Sequence, residues 1–444
     1  MRKSFRPTAS INRRDFLKGS AAAGLGYWLV GRGAWAEDAP SASPNEKLNV
    51  GFIGVAHQAE YDLNQTAGSG LVNVAALCDV DENYLGTAAR RFPKAQTYND
   101  FRKLLEQKGI DAVVVATPDH THAVATAAAL HLGKHVYCEK PLTHTVHEAR
   151  FIAELAVKQK RVTQMGTQIH AGSNYRRVVE LVKAGAVGPI REVHVWCGKG
   201  WFADKAPTVA QPVPPTLDYD LWVGPAPMHP YNSAYLPENW RRFWAYGDGT
   251  LGDMACHYCD LPFWALDLRH PTKVVAEGPQ VNPDCCPHWL IVHWEFPARG
   301  ELPPAKLTWY DGDKRPPQFN DWGLEGKTGN GVMFVGEKGN LFADYDHHRL
   351  LPEKDFAGFT PPPKTIPDSI GHHKEWVTAC LKNDPAATTC RFDYSGALSE
   401  AVLLGNVAYR TGKALDWDAD SLKATNAPEA DQYLHYEYRK GWEL

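Results

Sequence analysis

Between residues 48 and 166 the chain alternates short apolar segments with helical patterns, and few folds accommodate that order. Residues 48–53, 72–77 and 112–116 have strand length, and 112–116 (Ala-Val-Val-Val-Ala) is apolar throughout, as a strand covered on both faces must be. Helical patterns follow at 83–91, 100–107 and 122–132, then a strand at 135–138, a helix at 146–159 and a short strand at 162–165. Strands separated by helices pair in parallel, because a parallel crossover needs a dozen or more residues. The expected class is α/β, with a doubly wound parallel sheet over 48–166. Beyond it the texture changes to a helix at 174–184, an alternating strand at 192–196 and a Pro-rich loop at 206–237. Strand-like runs then follow between 274 and 342, including 289–296 and 306–310, and helices at 372–381 and 395–412 close the chain. Residues 167–444 are expected to form a second α/β domain with an open, mostly antiparallel sheet.

Residues 1–36 read as an export leader. Arg13-Arg14 precede an apolar run at 21–30, and Ala34-Trp35-Ala36 supplies a small-residue cleavage pattern before Glu37. The run is about half of the ~20 residues a membrane span needs, and it contains Gly24 and Gly26. A twin-arginine signal, a connector at 37–47 and a periplasmic or otherwise exported location are therefore expected, with no stable membrane insertion after cleavage. The twin-arginine route carries folded proteins, so a cofactor loaded in the cytoplasm can travel inside the chain. Outside the membrane no soluble pool of diffusible cofactors is expected, which favours a tightly bound cofactor that each reaction cycle regenerates. The leader holds seven Lys+Arg and one Asp, and its removal takes the net charge from -4 to -10. An acidic chain with scattered charges argues against nucleic acid as partner. Nine cysteines show no repeated zinc spacing, and the single Cys256-x-x-Cys259 pair is weak evidence for a metal, so none is expected. The 15 Trp and 18 Tyr suit platforms for sugar rings as well as ordinary core positions.

Gly54-Val55-Ala56-His57-Gln58-Ala59 occupies the first strand-to-helix turn, where a dinucleotide fold places G-x-G-x-x-G. Only the first glycine is kept. Asp79 ends the second strand, 25 residues beyond Gly54, against a usual spacing of ~20. A carboxylate there accepts hydrogen bonds from ribose hydroxyls and repels a 2'-phosphate, which favours NAD over NADP. Lys140 follows a parallel strand at the sheet edge where ligands bind, and an ammonium there can stabilise an alkoxide as hydride leaves carbon. Asp253 and His257, four apart, share one helix face, and an imidazole of ordinary pKa ~6.5 suits removal of a hydroxyl proton. His170, Asn174 and Tyr175, after the last strand of the first sheet, and Arg241, in the aromatic stretch 239–244, are candidate substrate contacts.

Gly54 with Asp79, Ala116-Thr117-Pro118 with His122, Gly133-Lys134-His135-Val136 leading into Glu139-Lys140-Pro141, and Gly252-Asp253 with His257 together resemble the glucose-fructose oxidoreductase / inositol dehydrogenase (Gfo/Idh/MocA) family. The resemblance implies an N-terminal Rossmann domain, a C-terminal domain whose open sheet supports homo-oligomer contacts, and a sugar or polyol held between them. It implies that Glu139-Lys140-Pro141 carries the catalytic lysine, and it puts cofactor contacts at Gly54, Val55, Ala56, His57, Gln58, Asp79, Thr117, Pro118, His122, Glu139 and Lys140. The departure is the weakened glycine pattern. The expected function is an exported NAD(P)-dependent oxidoreductase acting on a secondary hydroxyl of a sugar, polyol or glycoside, with Lys140, Asp253 and His257 catalytic. A glycoside hydrolase or lyase working through transient oxidation is the alternative, and a non-catalytic sugar-binding module on the same scaffold is the third reading. Retained-cofactor glycosidases of this resemblance typically depart from Glu-Lys-Pro, which tilts the expectation toward a dehydrogenase.

Overall fold

The computed structural model describes residues 46–324 and 329–444, so the leader expected at 1–36 and most of the connector lie outside the described residues. The first sheet is built from β1 (Leu48–Ile53), α1 (Gln58–Gly68), β2 (Val72–Cys78), α2 (Glu82–Arg91), β3 (Gln96–Tyr98), α3 (Phe101–Glu106), β4 (Ala112–Val115), α4 (Asp119–His131), β5 (His135–Cys138), α5 (Val146–Gln159) and β6 (Thr163–Met165). Its six strands run in the order β3-β2-β1-β4-β5-β6, all parallel. The order reverses between β1 and β4, so a crevice opens beyond their C-terminal ends, where Gly54 and Thr117 stand. Edge strand β3 was not expected. It has three residues, Gln-Thr-Tyr, none of them fully buried, and so carries no apolar signal. Helix α5 matches its expected bounds because Thr145 and Glu148 form a reciprocal capping box at its start.

The second half contains α6 (Ser173–Lys183), β7 (Ile190–Trp196), α7 (Tyr219–Val223), α8 (Gly249–Tyr258), α9 (Asp260–Ala265), β8 (Lys273–Glu277), β9 (Ile291–Phe296), β10 (Ala305–Tyr310), β11 (Gly331–Gly336), β12 (Gly339–Ala343), β13 (His348–Leu351), α10 (His372–Lys382), α11 (Phe392–Thr411), β14 (Leu415–Asp418) and β15 (Lys423–Ala424). Nine strands form one sheet, β13-β12-β11-β7-β10-β9-β8-β14-β15, in which only the β7–β10 pair is parallel. One short helix, α7, interrupts the loop expected at 206–237, started by the Asp218 side chain accepting from Leu221 N.

Two helices from the chain's end tie the halves together. Helix α11 is buried along nearly its whole length and packs against α5, where Gly396 lets the backbones approach; a Cβ there would lie 2.7 Å from Ala153 Cβ. On α10, Trp376 and Val377 join Val50 and Phe52 in the core beneath the first sheet. All described residues accordingly belong to one compact unit, although the pattern change near 166 marks where one sheet gives way to the other. Part of the open sheet's outer face, including Trp196, Met333 and Phe342, is covered by Phe319 and Trp322 of the chain's own 311–324 segment. The nine cysteines are buried and free, and no helix among the described residues is long and apolar enough to cross a membrane.

Candidate active site

A cavity lies at the reversal point of the first sheet, lined by Gly54, Ala56, His57, Gln58, Asp79, Thr117, Pro118, Glu139 and Lys140 among others. Gly54 has φ of +90° and sits so close to the next strand that a Cβ would lie 2.5 Å from Ala116 O. The first glycine is therefore irreplaceable here, whereas Ala56 and Ala59 are accommodated at the other two fingerprint positions. Asp79 accepts from Val55 N at 3.1 Å and Asp81 N at 3.0 Å, and burial pushes its carboxyl up to about 6. These bonds place the carboxylate in the cavity wall on the side away from Lys140.

One expected cofactor contact, Val55, does not line the cavity, and two others, His57 and His122, line it with their rings already engaged. Val55 turns its side chain into the core and spends its N–H on Asp79, so it supports the carboxylate and does not line the cavity. His122 lies with Nδ1 2.8 Å from Pro141 O and Nε2 2.8 Å from Thr117 O, with burial pushing it down to about 4. Both ring nitrogens are engaged, which makes His122 a brace between two loops of the site. His57 is at φ of +55°, a conformation that favours glycine, and its ring meets Tyr84 and the Glu238 carboxylate at the cavity edge.

Glu139 is buried, its Oε1 accepting from Gln168 Nε2 at 2.7 Å. Burial and then the nearby Asp62 carboxyl push it up to about 8. Gly166 exists to make room for it, because a Cβ there would fall 2.2 Å from Glu139 Oε1. The Lys140–Pro141 peptide is cis. From this turn Lys140 Nζ reaches Asp253 Oδ1 at 2.5 Å, joining the first sheet to α8.

Asp253 is a hub. Besides Lys140 it meets Lys199 Nζ at 2.9 Å, Arg241 Nε at 3.4 Å and the donated Nε1–H of Trp201 at 2.7 Å. Burial opposes its ionisation, but Lys140, Arg241 and Lys199 outweigh burial and hold the carboxyl well below the ordinary range. In return Asp253 and Glu139 overcome the burial of Lys140 and keep its pKa above the usual lysine value. His257 follows one turn later on α8, on the same side. Burial, with the Lys140 charge, pushes it down to about 3, so the imidazole is neutral. The chain thus brings together a fixed ammonium and, one helical turn beyond the carboxylate that holds it, a neutral imidazole. Such a pair can hold a hydroxyl and take its proton.

Of the expected substrate contacts, only Arg241 lies at the site, stacked 4.2 Å from the Trp240 ring centroid. The other three are engaged in packing, Tyr175 meeting the site only through its hydroxyl, which donates to the His257 carbonyl at 3.4 Å. His170 is buried, its Nδ1 2.9 Å from both Asp260 carboxylate oxygens and its ring stacked on Trp264 at 4.0 Å. Asn174 donates to the carbonyls of Asp344 and His347 and so pins the loop after β12. Tyr175 is fully buried beside Tyr345. These three sit on the helical segment after β6, whose polar residues the pattern placed at the cleft mouth; tertiary packing instead turns His170 and Tyr175 into the interior and commits the half-buried Asn174 to the loop after β12.

The pattern missed Lys199 and Trp201, which the Gly198-Lys199-Gly200-Trp201 segment just after β7 could have flagged as basic and aromatic. It also missed Trp442. This residue comes from the chain's end, packs 6.0 Å from the Phe101 ring and 4.4 Å from the Arg102 guanidinium, and lines the same cavity as Asp79. No local pattern points to it.

The donor set fits a dinucleotide. A carboxylate on one side of the cavity suits ribose hydroxyls, the Gly54 turn opens onto the start of α1 for a pyrophosphate, and Glu139 and Lys140 bound the opposite side.

Comparison with known proteins agrees with this geometry. Residues 48–167 match the family model described as oxidoreductase family, NAD-binding Rossmann fold, and 172–302 match the oxidoreductase family C-terminal alpha/beta domain. Residues 10–26 match the TAT (twin-arginine translocation) pathway signal sequence. Among curated relatives, a levoglucosan dehydrogenase of Pseudarthrobacter phenanthrenivorans is 29% identical over 231 residues, covering 49% of this chain and 50% of the relative. A glycosyl hydrolase family 109 protein of Shewanella baltica is 28% identical over 204 residues, covering 41% of this chain and 44% of the relative. The chain thus spans about half the length, or less, of these relatives. The solved structure of a levoglucosan dehydrogenase in complex with NADH and levoglucosan shares the fold, with a TM-score of 0.59, 18% identity, and coverage of 83% of this chain and 99% of that one. With both of its domain models matched, over more than half of the 444 residues, the chain belongs to the Gfo/Idh/MocA family of oxidoreductases with an NAD-binding Rossmann fold.

Proposed function

We propose that the protein is an exported oxidoreductase, working in the periplasm, that moves a hydride between a secondary hydroxyl of a sugar, polyol or glycoside and a retained NAD. The Lys140–Asp253 pair carries this reading, because it fixes an ammonium at the cavity edge with His257 one turn away. Lys140 gives one N–H to Asp253 and keeps two for the substrate oxygen. As the carbinol C–H bond breaks, the neutral His257 takes the hydroxyl proton and Lys140 stabilises the negative charge developing on oxygen. The imidazole near 3 is a weaker base than the ~6.5 expected from the sequence, and the same ammonium that depresses it offsets part of that loss by acidifying the hydroxyl it touches. Bound NAD would supply the hydride acceptor, leaving a ketone and NADH, and a second carbonyl substrate such as another sugar would take that hydride to restore the bound NAD. Arg241 and Trp201, held around Asp253, offer a guanidinium and a ring face to the remaining sugar hydroxyls. The levoglucosan dehydrogenase relative supports a carbohydrate substrate.

A second reading has support in the similarity to a glycosyl hydrolase family 109 protein: transient oxidation, elimination of a glycosidic leaving group, and return of the hydride. Both readings are tested by denaturing the protein purified from the periplasmic fraction and identifying released nucleotide by mass spectrometry. The loaded enzyme is then offered free sugars and aryl glycosides. Stoichiometric NAD(H) with ketone formation supports the dehydrogenase. Aglycone release without net change in the nucleotide supports the eliminating enzyme. Absence of any bound or bindable nicotinamide refutes both and leaves a sugar-binding module.

A further inference from the structure

A second cavity, of about 730 Å³, shares no lining residue with the nucleotide site. It falls within the ~300–1,000 Å³ usual for small-molecule sites. Its walls come from the start of α5, the last turns of α11, the loops at 204–208 and 243–248, and the chain's final segment at 432–436. Arg410, from the end of α11, projects there between two rings, 5.0 Å from the Trp244 centroid and 4.3 Å from the Tyr433 centroid. Among the described residues no carboxylate or carbonyl accepts a hydrogen bond from its guanidinium. A stacked guanidinium with its N–H edge unused is preorganised for a planar anion, since the rings fix the plane and leave the fork free.

Other groups in the same walls are also unsatisfied. Asn406 donates to Asp248 O at 3.0 Å, yet its Oδ1 has no partner, and neither have His144 Nδ1 and Asp248 Oδ2. Burial, with the nearby Asp119 and Glu148, pushes the Asp248 carboxyl well above the ordinary range, which weakens its hold on the Arg410 charge. Buried polar atoms left without partners cost free energy that a bound ligand carrying hydroxyls would recover. One fixed cation in the interior matches a single negative charge. A phosphate, which approaches two charges near neutrality, is ordinarily met by several cations or by backbone N–H groups.

We propose that this cavity is a binding site for a uronate, a sugar ring bearing a carboxylate, with the carboxylate on the N–H edge of Arg410 and ring hydroxyls on Asn406, Asp248 and His144. The site is separate from the dehydrogenase centre, and its occupancy does not depend on the reading of that centre.

The test is isothermal titration calorimetry of the full cofactor-loaded chain with glucuronate, galacturonate and mannuronate, and with glucose and inorganic phosphate as comparators. At least one uronate is expected to bind the wild type more tightly than glucose or phosphate does. Arg410→Gln should weaken it about tenfold or more, and Arg410→Lys should fall between, because a point charge keeps the attraction but not the fork. Should Arg410→Gln fail to fold, Thr208→Trp on the exposed loop at the cavity wall offers a second blockade that leaves the core intact. Absence of uronate binding, equal binding of phosphate, or uronate binding unchanged in both Arg410→Gln and Thr208→Trp would overturn the proposal.

Discussion

Replacing Asp253 with Asn removes one charge and leaves a side chain of nearly the same shape. The carboxylate is the shared counter-ion of Lys140 at 2.5 Å, Lys199 at 2.9 Å and Arg241 at 3.4 Å. At an effective dielectric of ~20, the Lys140 contact alone is worth on the order of 6–7 kcal/mol of Coulomb attraction. Desolvation offsets part of this, and breaking a buried pair costs about 3–5 kcal/mol net. In Asp253→Asn that loss falls on the placement of the Lys140 ammonium, which two neighbouring cations then repel. A loss of ~3–4 kcal/mol at the transition state corresponds to a fall of roughly 10²–10³ in kcat. A second consequence follows from sign. Asp253 is the strongest influence keeping Lys140 charged against burial, so in the variant the ammonium loses its proton at lower pH and kcat acquires a new alkaline limb. The assay is ketone formation by the cofactor-loaded variant across pH, with nucleotide content measured in parallel to separate chemistry from loading. A loaded variant within about tenfold of wild type, with no alkaline limb, would refute the reasoning, since a loss of ~3–4 kcal/mol requires a fall of roughly a hundredfold or more.

Other expectations bear on the remaining groups. His257→Gln should lower kcat by ~10²–10⁴ with nucleotide content unchanged, as loss of a general base does; retained activity would place the proton acceptor elsewhere. The same variant has a stability signature. An unfolded imidazole takes a proton below ~6.5, whereas the folded His257 does so only near 3, so the unfolded state binds more protons in that window and stability falls as pH drops through it. Denaturant titrations from pH 6 to 4 should show the wild type losing about 1.4 kcal/mol per pH unit more than His257→Gln. Asp79→Asn should weaken NAD binding by roughly 10–100-fold, the worth of hydrogen bonds to a charged acceptor, and narrow the preference over NADP in calorimetric titration. Trp442→Ala opens the cavity on the side bounded by Phe101, and nucleotide release followed by fluorescence should speed up by about tenfold, the worth of one base–aromatic contact. An unchanged release rate would mean that the chain's end does not help retain the cofactor.

The outline of the fold was legible in the sequence because local pattern and burial coincide there. A segment such as Ala112–Val115, apolar at every position, has no stable place except between two helical layers, and the helices that flank it carry their own start signals at Asp81, Asp100 and Thr145. Gly54, Asp79 and Lys140 were legible for a related reason: each ends a parallel strand, and the C-terminal edge of such a sheet is where a ligand meets the chain. Asp253 and His257 could be paired from their spacing on one helix.

What the sequence could not express is contact between distant segments. Whether His170, Asn174 and Tyr175 faced the cleft or the interior depended on Asp260, Asp344 and Tyr345, which lie 90 to 170 residues away in the chain and meet them only after the second sheet forms. Lys199 and Trp201 became part of the site because β7 delivers them beside Asp253, and Trp442 because the chain's end returns to Phe101. The sequence by itself determined the alternation of elements, the parallel sheet and the residues at its ligand edge, because those follow from short-range periodicity and the need to bury apolar faces. Only the tertiary structure decided which cations share Asp253, which polar residues are consumed in packing and that a second cavity surrounds Arg410, because ion pairs and cavities are properties of groups that the chain brings together from far apart.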